Sequence, residues 1–223
     1  MDLGTGCAGI EMVADGRGEA RRDRAVGQRA ESKAILLDAA RVLLRKGSAL
    51  EIRAIDIAEE SGLSRQTVFQ YYPAIRLIFF ELSDLCQTAL QEAVRAVDPT
   101  EADWEIRVSE AAADILLEDS AVNRQVLFIS ASQGRGADAV MAGTRTVIKN
   151  MFSSVRAVHE DGGKYPSFED DLADATLTQF QGLMYQWAAG LLTDAEFKEK
   201  TTRAAETVVR HGLNQLNAGG EAE

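Results

Sequence analysis

The chain has 223 residues, 46% of them hydrophobic, only 3 prolines and a formal net charge of −11. That length suits one compact helical domain with a smaller one beside it, and no run of roughly 18 apolar residues exists, which excludes a membrane-spanning helix. Cys7 and Cys86 are isolated, so there is neither a disulfide framework nor a zinc spacing, and a reducing cytoplasm is the expected setting.

Residues 1–30 are glycine-rich and lack apolar periodicity, which predicts a flexible basic arm. Arg17, Arg21, Arg22, Arg24 and Arg29 cluster there, suited to following a DNA backbone or entering a minor groove. No apolar segment with a cleavage site marks a secretion signal, and Met12 offers a second candidate start. Leu36, Ala39, Ala40, Leu43 and Leu44 then recur at helical spacing, predicting a first helix from about Glu31 to Lys46, stopped by Gly47.

A short helix, a tight turn and a second short helix follow between Asp56 and Tyr72, within a domain expected over residues 31–76. Ile57 and Ala58 give the first of these an apolar face. Gly62 suits a left-handed C-cap, and the Ser64 hydroxyl suits an N-cap. Val68 should be buried, leaving Arg65, Gln66, Thr67, Phe69 and Gln70 outward. Arg and Gln make paired contacts with guanine and adenine edges, while Thr and Phe touch thymine methyls. Pro73 ends the second helix and suits the first position of the next. Tyr71 and Tyr72 are expected near the DNA backbone, with Arg53 and Ser64 assisting at phosphates.

The charge is divided along the chain. Residues 17–76 carry 12 Lys/Arg and 8 Asp/Glu, whereas residues 77–223 carry 12 and 24. A basic end on an acidic body orients its approach to DNA.

The order Leu36-Leu37-Asp38-Ala39-Ala40, Leu43-Leu44, Gly47, Asp56-Ile57-Ala58-Glu59, Gly62-Leu63-Ser64 and Thr67-Val68-Phe69-Gln70-Tyr71-Tyr72-Pro73 resembles the DNA-binding domain of the TetR (tetracycline-repressor) family. The resemblance runs from about Ser32 to Leu82. It implies an all-α protein with an N-terminal three-helix helix-turn-helix domain and a larger helical ligand-binding and dimerisation domain. It also implies a homodimeric transcriptional regulator, usually a repressor, that binds a pseudo-palindromic operator in double-stranded DNA and is released by a small effector. Two positions depart from the family pattern: Ile75 stands where a phosphate-binding Lys is common, and Ile55 where a polar or basic residue is. They motivate an alternative reading as a dimeric helical interaction protein that has lost DNA binding.

The rest of the chain, 77–218 before a short tail at 219–223, is a succession of amphipathic helices. A fourth helix is expected from Pro73 to about Val97, and Thr100 with Asp103 starts a fifth that holds Trp104 and Val108. Another is expected from Ala121 to Ser130, then a loop at Ser132–Gly136 and a long helix from Ala137 to about Glu160. A break at Asp161–Pro166 precedes the last two, about Phe168–Leu192 and Asp194–Leu216, with Thr193 and Glu196 at capping-box spacing between them. Packed on a second copy, this pair would make a four-helix bundle, the dimer interface that the resemblance implies.

The resemblance also places the effector pocket inside the body. Trp104, Phe128, Met141, Phe152, Phe180, Met184 and Trp187 are its candidates, and the scarcity of charge among them favours a mainly apolar effector. Such side chains fill cores as readily as they line pockets. His159 and His211 stand alone, and no phosphate loop, nucleophile elbow or metal-ligand spacing occurs, so no enzyme, cofactor or metal site is expected.

Overall fold

The computed structural model describes residues 11–98, 101, 103–132, 145–146, 148–150, 153 and 168–220. Among them all regular structure is helical: α1 (Glu11–Lys46), α2 (Ala54–Ser61), α3 (Arg65–Tyr71), α4 (Arg76–Arg95), α5 (Trp104–Glu118), α6 (Ser120–Ser132), α7 (Phe168–Ala188) and α8 (Asp194–Gly220). Among the described residues no helix is long and apolar enough to cross a membrane. The loop expected at Ser132–Gly136 lies outside them beyond Ser132, and so does the break at Asp161–Pro166. Of the helix expected from Ala137 to Glu160 only residues 145–146, 148–150 and 153 are described, and all are helical.

Two elements start elsewhere than their sequence suggests. The first helix begins at Glu11, twenty positions before the expected Glu31, so most of the expected arm is helical. Its residues 19–30 are exposed, and without an apolar stripe their periodicity gives no helical signal. Propagation from a nucleus already packed at Leu36 and Leu37 suffices, since each added residue brings its own hydrogen bond. The fourth helix begins at Arg76 rather than Pro73. Residues 73–75 instead form the corner that swings the chain out of α3, with Leu77 N–H on the Ala74 carbonyl at 3.0 Å.

Two apolar cores divide the fold. The head core gathers Leu36, Leu37, Ala40 and Leu44 of α1, Ile57 and Ala58 of α2, Val68 of α3 and Ile78–Phe80 of α4, and Val122, Val126 and Ile129 of α6 close it. The body core holds Leu90 and Val94 of α4, Trp104 to Leu116 of α5, Leu177, Met184 and Trp187 of α7, and Phe197 of α8. One helix, α4, therefore walls both.

Helix α6 is pinned at both ends of the molecule. Gln125 Nε2 donates to the carbonyls of Leu44 (2.6 Å) and Gly47 (3.0 Å), satisfying orphan acceptors at the end of α1, while its Oε1 accepts from Ala49 N–H (2.7 Å). Asp119, just before α6, takes the Arg45 guanidinium on both oxygens. From the position before Gln125, Arg124 donates to the carbonyls of Trp187 (2.6 Å) and Leu192 (3.0 Å) and to Asp194 (2.7 Å). The carboxyl of Asp194 is held below the usual range, chiefly by the hydrogen bond from Arg124 and next by that from Trp187 Nε1.

The α7–α8 hairpin is specified locally. Gly190 is left-handed (φ 77°), with its N–H on the Trp187 carbonyl and Leu191 N–H on that of Gln186, both at 2.9 Å. This is a Schellman closure, and it stops α7 at Ala188, short of the expected Leu192. Thr193 and Glu196 then exchange hydrogen bonds, Thr193 N–H to Glu196 Oε2 at 2.8 Å and Glu196 N–H to Thr193 Oγ1 at 3.2 Å, the expected capping box.

Candidate nucleic-acid interface and ligand cavity

Short helices need local support, and α2 and α3 have it. Asp56 accepts from the backbone N–H of Arg53 (2.8 Å) and from its guanidinium (3.0 and 3.2 Å), which closes the start of α2. The same contacts hold the Asp56 carboxyl below the ordinary value. Gly62 ends α2 in the left-handed region at φ 70°, with open space around it, so backbone conformation and not crowding requires the glycine there. Ser64 caps α3, its Oγ accepting from Thr67 N–H at 3.0 Å. Tyr72, before Pro73, sits at φ −131°, ψ 90°, the extended backbone that a following proline imposes.

Val68 is fully buried and fixes how α3 lies on the head core. That leaves Arg65, Gln66, Phe69 and Gln70 exposed, on one continuous face of seven helical residues. The Arg65 guanidinium lies 5.9 Å over the Phe69 ring. Thr67 is half-buried, and its hydroxyl is hydrogen-bonded to Ser64 Oγ at 2.8 Å.

The two tyrosines part company. Tyr71 is half-buried, with the Arg29 guanidinium 5.8 Å above its ring. Tyr72 is only 3% exposed and its hydroxyl donates to Glu81 at 2.9 Å. Burial raises its phenol well above the ordinary value, with the hydrogen bond to Glu81 adding to it. It braces α3 against α4 and does not face outward, contrary to its expected place beside the DNA backbone. Arg53 is exposed, but its guanidinium is turned onto Asp56. Ile75 packs against the head core, so at this position an apolar contact stands where a phosphate contact was considered.

The body holds a cavity of about 50 Å³ between α4, α5, α7, α8 and Ile148. Leu90, Val94, Val108, Ala112, Leu177, Phe180 and Val208 give it apolar walls. Ser109, 5% exposed, lines it with an Oγ that finds no hydrogen-bond partner. Thr201 also lines it, its hydroxyl within reach of the Phe197 (2.9 Å) and Lys198 (3.0 Å) carbonyls.

Of the large side chains expected at a pocket, Phe180 lines this cavity. Trp104, Met184 and Trp187 are packed in the body core beside it, and Phe128 is 51% exposed on α6. Met141 and Phe152 lie outside the described residues. The cavity exists where Ser109, Ala112, Ala204 and Ala205 are small. Small residues at helical spacing on α5 and α8 were the available signal, and a search for large ones passes over it.

Elsewhere the titratable groups form ion pairs across helices. Arg145 binds Asp170 and Asp174, and Lys149 binds Asp170, at the start of α7. Burial pushes the half-buried Cys86 thiol up to about 11, which makes it a poor nucleophile. Among the described residues no group of three His, Cys, Asp or Glu is placed to hold a metal ion.

One long helix and two short ones, the last of them capped and exposed, carried on a helical body with an internal cavity, define the class of fold: a helix-turn-helix head on an α-bundle. Solved structures with that architecture are similar over most of the chain. A TetR transcriptional regulator from Rhodococcus sp. RHA1 matches with a TM-score of 0.53 at 12% identity, covering 82% of this chain and 97% of that one. A TetR-like transcriptional regulator from the same organism matches with a TM-score of 0.55 at 16% identity, covering 80% and 96%. No protein-family model and no curated protein matches the sequence. The chain has the TetR-like all-helical fold.

Proposed function

We propose that this protein is a ligand-responsive transcriptional regulator that binds a pseudo-palindromic operator as a homodimer, acting as a repressor. The observation that carries this reading is α3. It is a seven-residue helix with a Ser64 cap, a buried Val68 anchor, and Arg65, Gln66, Phe69 and Gln70 left to solvent. These are side chains able to read base edges in the major groove, and the cap and anchor hold them rigidly.

Dimerisation would use α7 and α8. The outward face of α7 presents Ala175, Thr178, Gly182 and Tyr185, and a Cβ added at Gly182 would meet nothing within 4 Å. Such a face lets a second copy of the helix approach closely. Two heads then meet DNA about one helical turn apart, near 34–36 Å.

The cavity would take a mainly apolar effector. Its volume holds only a few waters, so a larger molecule enters by pushing its walls apart. Leu90 and Val94 are two of those wall residues, and they sit on the helix whose other end enters the head core through Ile78 and Phe79. A ligand that binds better to the expanded body shifts the population of head positions by that difference in affinity.

Two measurements test the reading. The full-length protein should retard the DNA upstream of its own coding sequence in a low-salt mobility-shift assay, with a preference over random duplex. No preference would favour the helical interaction protein that has lost DNA binding, a reading to which Ile75, packed against the head core, lends support. Second, Ser109→Ala should leave the melting temperature unchanged or raise stability by up to about 1 kcal/mol, because it removes a buried hydroxyl that lacks a partner. A large destabilisation would show instead that Ser109 is satisfied by structure the cavity argument misses.

A further inference from the structure

We infer that residues 19–29 of α1 are a second DNA contact, a rigid basic helix that grips phosphates beside the recognition helix. This inference rests on the DNA-binding reading, and it starts from where the head's positive charge is free. Every Lys and Arg from Lys33 to Arg53 is already paired: Lys33 with Glu81, Arg41 with Asp38, Arg45 with Asp119, Lys46 with Glu60 and Arg53 with Asp56. In this helix-turn-helix unit, where Ile75 packs against the core, only Arg65, which lies over the Phe69 ring on the reading face, and the exposed Arg76 at the start of α4 are then without a carboxylate partner among the described residues.

The larger group of unpaired cations lies on α1. Arg21, Arg22, Arg24 and Arg29 are exposed, and among the described residues none has a carboxylate partner. At 100° per residue these four arginines cover one half of the helix cylinder, while Glu19 and Asp23 lie on the other. The stripe is therefore one-sided, as a surface following an anionic backbone needs to be.

Its position is set by Arg29. The guanidinium rests 5.8 Å over the ring of Tyr71, the last residue of α3. From that anchor ten residues at 1.5 Å each carry α1 about 15 Å further, to Glu19. The basic stripe thus extends from the end of the recognition helix itself. Because it is already helical, its arginines lose less freedom on binding than those of a flexible arm would. A lipid surface is a poorer occupant, since membrane-lying helices need a broad apolar face and residues 19–30 offer only alanines and Val26.

The test uses the full-length protein with Arg21→Gln, Arg22→Gln and Arg24→Gln together, and a second variant with Lys at the same three positions. Binding is measured to the DNA upstream of its own coding sequence and to random duplex, from about 50 to 200 mM salt. Each lost phosphate contact makes the log–log salt slope shallower by about 0.9, so over that range the Gln variant should lose affinity about 40-fold less steeply per bound protomer. Its base preference should be unchanged, and the Lys variant should keep the steep slope. Equal slopes for wild type and Gln variant would overturn the second contact while leaving the regulator reading intact. A Lys variant as shallow as the Gln variant would overturn the phosphate assignment. If the wild-type protein binds neither DNA, both readings fall together.

Discussion

Replacing Trp187 by Ala should lower stability by about 3–5 kcal/mol, the range for a fully buried large aromatic. Trp187 is 0% exposed and stacks on Phe197 with ring centroids 5.1 Å apart and planes 23° from parallel. The Arg124 guanidinium lies 4.7 Å from the centroid of the Trp187 ring, and Trp187 Nε1 donates to Asp194 at 2.8 Å. Truncation therefore opens a cavity and removes one of the hydrogen bonds that hold the Asp194 carboxylate. It also strips Arg124 of the ring that supports it. In a chain of this size the melting temperature should fall by roughly 6–20 °C. Trp187→Phe keeps one ring but loses part of the indole volume and the donor to a carboxylate, so it should cost about 2–3 kcal/mol, less than full truncation. A fall of under about 2 °C for Trp187→Ala would show that the body repacks around the gap. Arg124 would then not need the ring to hold the hairpin.

The second large effect is on DNA. Gln66 and Gln70 are four residues apart on α3, both exposed, so they face the same way. Gln66→Ala and Gln70→Ala should each weaken operator binding by about 1–3 kcal/mol, roughly 5- to 160-fold, and relax base preference at one position. Neither is charged, so the salt slope should not move. Neither is buried, so thermal unfolding should stay within about 0.5 kcal/mol of wild type. This pattern is opposite to that expected of the α1 arginines, whose loss changes the salt slope and spares preference. Unchanged affinity and unchanged preference in both Gln variants would remove α3 as the reading element.

What was legible in the sequence follows the range over which each feature is decided. Gly62, Ser64 and Pro73 act on neighbours within a few residues, and the structure shows the C-cap, the N-cap and the helix end they imply. The Thr193–Glu196 box is similar. Recognition of the TetR-like fold rested on such local signals in order, with the apolar periods that place Leu36 and Val68 inside.

Other features had no local signal. The helical stretch before Glu31 lacks an apolar stripe, so periodicity passed over it. Phe128 and Trp187 look alike as large apolar positions in helices, yet one is 51% exposed and the other fully buried. The difference is which neighbour covers them.

By itself, then, the sequence determined the all-helical class, the turn and caps of the reading unit, and the outward set on α3 except Thr67, which is half-buried with its hydroxyl on Ser64. Those outcomes need only hydrogen bonds and spacings along one stretch of chain. Tertiary structure decided which tyrosine faces inward, since Tyr72 is placed by a bond to Glu81 on another helix. It decided that α6 is the strut between head and hairpin, because Gln125 and Arg124 reach partners 81 and 63 residues away. It decided the cavity as well, for a void is what remains when side chains from several helices fail to fill the space between them. No single helix carries that quantity in its own residues.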